Sequence, residues 1–180
     1  MIRLYGFVEG GLRALHLGTG GEATGPEWAA VGWIERRLEA LPADAVDDRI
    51  ATVARLANAH GAAGREGAAR AALERGLAEH PGAETLREPL RVLYRAAAAW
   101  DKLVDLLTRA GGEPPKVEHL REAADICLKK LGSRERAIPI LEALTAQAPT
   151  DKAARLALAD ALRATGALEP ARALLGKLLD

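Results

Sequence analysis

Charge of one sign is what this 180-residue sequence most plainly lacks: 25 Lys and Arg stand against 25 Asp and Glu. With no net charge there is no global field to gather phosphates, which removes the usual electrostatic footprint of a nucleic-acid binder or a polybasic membrane binder. Cysteine is limited to Cys127, so neither an internal disulfide nor a cysteine-based metal cluster can form, and the cytoplasm is the expected location. No run approaches the roughly 18 apolar residues of a membrane span, and the N-terminus lacks the basic start and apolar core of a signal peptide; no membrane insertion is expected. The four histidines, His16, His60, His80 and His119, have no metal-ligand spacing. Ser133 is the only serine, and no histidine is placed to activate it. The chain is therefore expected not to be an enzyme and to need no cofactor. Strand formers are also scarce, Val and Ile together supplying 13 residues.

What is abundant is alanine and leucine, 39 and 28 residues. Both are strong helix formers, so the chain reads as all-α. The order of residues adds a period. Pro81, Pro115 and Pro149 fall 34 residues apart, and windows 50–83, 84–117, 118–151 and 152–180 laid on that spacing agree in register. The fifteenth places are Gly64, Ala98, Gly132 and Gly166, the twentieth Ala69, Leu103, Ala137 and Ala171. The twenty-fourth are Leu73, Leu107, Leu141 and Leu175, and the seventh Leu56, Leu90, Ala124 and Leu158.

Each column has a physical reason in a helix-turn-helix unit. A small residue at place fifteen ends the first helix in the left-handed conformation. Place twenty lets two helices approach, and the leucines of places seven and twenty-four fill the space between them. The proline at place thirty-two stops the second helix. Such a unit cannot bury its apolar faces alone and stacks on its neighbours. In these columns the sequence resembles the tetratricopeptide repeat family over about 130 residues. The resemblance implies a right-handed α-solenoid and a protein-interaction scaffold. Its repeats are degenerate: Val53, Arg87, Arg121 and Arg155 hold the family's aromatic fourth place, and Arg91 and Asp125 its small eighth place. Leu103 in place of a small residue predicts a wider helix separation.

Local signals give further expectations. Ser133 and Thr150 or Asp151 are candidate N-caps, and Pro89 and Pro170 are expected within the first turn of their helices. Pro139, about six residues into a helix, predicts a kink or a later helix start. Cys127, beside Leu128 and Leu131, reads as core.

The expected domains are a Gly-rich arm over 1–25 and a helical repeat domain over 26–180. Within the latter, residues 26–41, with Trp28, Val31, Trp33, Ile34, Leu38 and Leu41, read as the second helix of a partial repeat (26–49) in which Ala30 and Ile34 take the twentieth and twenty-fourth places. Residues 43–49, with Asp44, Asp47 and Asp48, read as a solvated loop. In the arm, Ile2, Leu4, Tyr5, Phe7 and Val8 followed by Gly10 and Gly11 suggest a short hairpin. Gly18, Thr19, Gly20, Gly21, Glu22 and Ala23 match a loose nucleotide-binding turn, a distant alternative because no further βαβ unit follows. At the other end Leu174, Leu175, Leu178 and Leu179 form an apolar edge for a partner or a second copy.

The family's ligands lie on a concave face lined by the first helices. Carried over by place, the resemblance implies contacts at Asn58, Thr85, Glu88, Val92, Arg95, His119, Glu122, Ile126, Lys129, Lys130, Leu156, Asp160 and Arg163. Arg95, Lys129 and Arg163 recur at 34-residue spacing. That row would suit an acidic peptide, or it could simply face the helix dipoles at the ends of the first helices. A protein or peptide partner is the expectation; self-assembly into a homo-oligomer through the arm and the C-terminal edge is the alternative, and RNA binding is more distant still.

Overall fold

The computed structural model describes residues 26–109 and 114–179, with side chains from 29 to 109 and from 114 to 176, and the backbone of Tyr5–Gly6 and Arg13–Ala14. Those two backbone pieces pair antiparallel as β1 and β2, Tyr5 opposite Ala14. The rest of the arm, including the turn Gly18–Ala23, lies outside the described residues. The other elements among the described residues are helices, as the composition leads one to expect: α1 (Pro26–Ala40), α2 (Val46–Ala62), α3 (Glu66–Glu79), α4 (Glu84–Ala96), α5 (Trp100–Thr108), α6 (Val117–Ile126), α7 (Arg134–Gln147), α8 (Lys152–Ala164) and α9 (Leu168–Leu179). A π turn, Cys127–Leu131, prolongs α6. The chain forms two compact units, residues 1–93 and 94–180, the division falling inside α4.

Burial follows the 34-residue register. On α3 the buried stripe is Ala69, Ala72, Leu73 and Gly76, and on α7 it is Ala137, Ile140, Leu141 and Leu144, the same four places two repeats later. These stripes have the spacing of a single helix face. Places seven and twenty are buried in all four repeats. Place twenty-four is buried as Leu73, Leu107 and Leu141, whereas Leu175 on α9 stays 39% exposed. A further column went unread in the sequence: the third place, Thr52, Leu86, Leu120 and Ala154, is buried throughout. Its mixed chemistry conceals it.

The turns repeat as faithfully as the stripes. Gly64, Ala98, Gly132 and Gly166 all have positive φ, at 69°, 50°, 63° and 88°. In three of the four turns the residue after the left-handed one closes a six-residue loop: the amides of Arg65, Ala99 and Ala167 donate to the carbonyls of His60, Tyr94 and Leu162. This satisfies carbonyls that the helix end leaves open. The third turn differs because Ser133 N–H reaches back one residue further, to the Cys127 carbonyl at 2.9 Å. The wider π winding absorbs the difference, so Gly132 keeps its place.

In the first unit, Val31 of α1, Leu56 of α2 and Ala72 of α3 form one apolar cluster, flanked by Ile34, Leu38 and Ala59, on which α1 seats. A Cβ on Gly76 would lie 2.7 Å from Val53 Cγ1 and 2.9 Å from Leu86 Cδ1, so α3 comes as near to both as only glycine permits. Several local expectations need correction. Ala30 is exposed and Val31 is buried instead, while Trp33 turns outward at 55% exposure with Arg37 above its ring. Val31, Ile34 and Leu38 follow one helix face at spacings of three and four residues and turn toward the cluster with Leu56 and Ala72. Residues 43–49 are not a loop, because α2 begins at Val46 and takes Asp47 and Asp48 into its first turn, where carboxylates oppose the positive helix end.

Proline placement is corrected as well. Pro89 lies inside α4, beyond the first turn, and Pro139 lies inside α7, which starts at Arg134 and not later. Pro170 does fall in the first turn of α9. Among the cap candidates, Asp151 caps α8 by accepting from Ala154 N–H at 3.0 Å, whereas the Ser133 side chain makes no cap bond to α7.

Candidate functional site

In the second unit, α6 and its π turn present one side along Glu118, Glu122, Asp125, Ile126 and Lys129, a helical spacing of three and four residues. With Arg121 and Lys130 these residues line an open depression of about 490 Å³. Ile126 is buried and floors it, so the apolar surface offered to a visitor comes from this floor and the methylene stems of the charged wall. The structure thus brings together Glu122, Ile126, Lys129 and Lys130 of the residues named from the repeat pattern. It adds Glu118, Arg121 and Asp125, which place-by-place reading left out. Asp125 stands where a small residue was expected, and its exposure shows that repeat 118–151 leaves this place open.

The electrostatics of the depression are those of paired charges. Arg95, in the last turn of α4, donates to Glu122 Oε1 from Nε at 2.9 Å and from Nη2 at 2.5 Å. Lys129 Nζ donates to Asp125 Oδ2 at 2.9 Å, and Arg163 Nη2 to Asp160 Oδ1 at 3.4 Å. Each member of the cationic row therefore has an acidic neighbour, and each lies in the last turn of its helix, where a cation also meets the helix dipole. Lys130 Nζ sits 5.5 Å from the Trp100 ring centroid, a cation–π contact that holds the end of the π turn.

At the edge of the depression Arg121 Nη2 donates to Asp151 Oδ2 at 2.8 Å. That hydrogen bond raises the guanidinium above its ordinary value, and together with Ala154 N–H it holds the Asp151 carboxyl below the usual carboxylate value. Behind the depression Cys127 is fully buried, and burial pushes its thiol up despite the nearby Arg136. Such a thiol is core material with little thiolate character. Arg136 itself pairs with Asp101 and, at 3.5 Å, with Asp105.

The remaining named residues are distributed more loosely. Asn58 is exposed on α2, and Thr85, Glu88 and Val92 are exposed on α4, with Glu88 paired to Arg91 at 2.8 Å. His119 is half-buried; Leu156, Asp160 and Arg163 are exposed on α8. On α9, Leu174 is half-buried and Leu175 exposed; the side chains of Leu178 and Leu179 lie outside the described ones. Among the described residues no group of His, Cys, Asp and Glu is arranged to hold a metal ion, and no helix is long and apolar enough to cross a membrane.

Residues 128–180 match the family model described as tetratricopeptide repeat. No curated protein matches the chain. Among solved structures, TPR-like repeats of a Podosopora anserina protein described as a kinesin light chain align at 23% identity, covering 84% of each chain with a TM-score of 0.43. MamA MSR-1 C2 aligns at 17% identity over 83% of this chain and 90% of that one, with a TM-score of 0.45. The family match falls on residues 128–180, within the stretch where turns and burial repeat every 34 residues, and there the chain is similar to tetratricopeptide repeats.

Proposed function

We propose that the chain is a non-catalytic protein-interaction module, and that in residues 94–180 the binding surface is the α6 face. The observation that carries this is the depression walled by three acids and three bases over the Ile126 floor. Rigid helix pairs hold such a surface in shape before a partner arrives, so most of the ordering cost falls on the partner. Because Arg121 and Lys129 of the wall are already matched by carboxylates, the wall suits a peptide or partner helix of mixed charge with one apolar anchor better than a purely acidic one. A photo-crosslinking residue in place of Lys129 should capture a partner in extracts of the native host, and one in place of Glu142 on α7 should not. Glu118→Lys with Asp125→Lys should abolish capture while circular dichroism is unchanged. Equal capture at both positions, or capture that survives the charge reversal, would refute the assignment.

A second reading, self-association through α9, is favoured by Leu168 and Leu175, which are 51% and 39% exposed. Light scattering across a concentration series tests it. A mass that stays monomeric, unaltered by Leu168→Glu with Leu175→Glu, would remove it.

A further inference from the structure

His60 is a buried titratable group that the interaction surface does not use. It stands at the eleventh place of its repeat, on α2, where the other three repeats carry Tyr94, Leu128 and Leu162. Packing, not chemistry, is the business of that column. An imidazole has been put there and sealed to 5% exposure. Its Nε2 points toward Glu35 Oε1 of α1 at 3.9 Å, too long for a hydrogen bond, and its Nδ1 is buried with no hydrogen-bond partner among the described residues.

The surroundings oppose a charge on this ring. Glu35, on α1 and half-exposed, is the one attractive neighbour; Arg65, in the turn after α2, and Arg75, on α3, repel an imidazolium. Burial acts in the same direction as the arginines and is the largest influence, so His60 is held below 6.5 and the folded chain keeps it neutral at pH 7. Adding a proton would create a second N–H in a place that offers Nδ1 no acceptor. Leu56, one turn before it on α2, and its neighbour Ala59 belong to the small apolar seat of α1, with Val31, Ile34, Leu38 and Ala72.

We propose that His60 makes the seat of α1 on α2 acid-sensitive, so that a proton taken up by the imidazole loosens α1 and uncovers the apolar patch beneath it. The sign follows from linkage. A group that binds its proton less readily when folded leaves stability intact above its unfolded value and withdraws it as pH falls. One proton per opening allows the opening constant of α1 to rise by at most about tenfold per pH unit below about 6.5.

Hydrogen exchange on the full chain, read by mass spectrometry on peptides from α1 and corrected for the intrinsic chemical rate, tests this between pH 7.5 and 5. Wild type should lose α1 protection progressively below about pH 6.5, while α8 peptides keep theirs. His60→Leu and His60→Tyr place residue types already used in this column and should make α1 protection flat across the range. Protection in wild type that does not change with pH, or the same acid response in both variants, would overturn the proposal. Should the variants fold poorly, the ring resonances of His60 in wild type decide the matter: titration below 6.5 supports the proposal, and titration at or above it refutes it.

Discussion

Ala98 is the residue at which the repeat strains against its own sequence. It sits at the place where the other three turns use glycine, and it takes the left-handed conformation at φ 50° with a Cβ that this conformation disfavours. Ala98→Gly is accordingly expected to stabilise the protein by about 1 kcal/mol, measured by urea unfolding. The converse change, Gly132→Ala, should cost about as much. A Cβ there would meet nothing within 4 Å, so the loss would come from the backbone alone. The column was legible in the sequence because a turn of fixed length demands a special residue at a fixed interval. What that residue would be was less constrained, since the surrounding turn imposes the conformation on alanine too. Thr52 illustrates the opposite case: a buried place occupied in turn by Thr, Leu, Leu and Ala gives the sequence little to show.

At the scale of the element, starts and stops were readable where a single residue decides them, as with Asp151 capping α8 or Pro170 in the first turn of α9. They were misread where packing decides. Pro89 and Pro139 lie inside α4 and α7 because the buried stripes on either side keep the helix going past a residue that removes a hydrogen bond. Pro139 is exposed, so its replacement should disturb no packing. Pro139→Ala is expected to raise the stability of the second unit by up to about 3 kcal/mol in a calorimetric or denaturant melt. The π turn Cys127–Leu131 had no signal at all in the sequence. It arises from the path of the Ser133 amide to the Cys127 carbonyl, a geometric choice that residue types do not encode. Its effect on the candidate surface is direct, because Lys129 and Lys130 lie within the widened turn and are aimed by it toward Asp125 and Trp100.

For the molecule as a whole, a formal charge of zero is the sum of many local matches. The row of Arg95, Lys129 and Arg163 could be found from spacing, but its carboxylate neighbours could not. Arg95 meets Glu122 across 27 positions of chain, a pairing set by how helices pack. Asp151 joins two repeats in the same manner, and it yields a prediction in acid. Its carboxyl is held below the ordinary value of 3.8, first by Arg121 and then by the α8 amide, so its contribution to stability is complete above that value and fades as pH falls through the lowered one. Asp151→Asn should therefore lose stability at neutral pH and show a flatter acid limb than wild type in unfolding followed from pH 7 to about pH 2. A repeat array behaves as a row of units, each with its own stability and a coupling to the next. Because Asp151, the last residue of the third repeat, both caps α8 and holds Arg121 of α6, one side chain contributes to the fourth repeat's intrinsic stability and to its coupling with the third. Its removal would lower the cooperativity of the second unit as well as its midpoint, letting α8 and α9 fray while α6 and α7 remain folded.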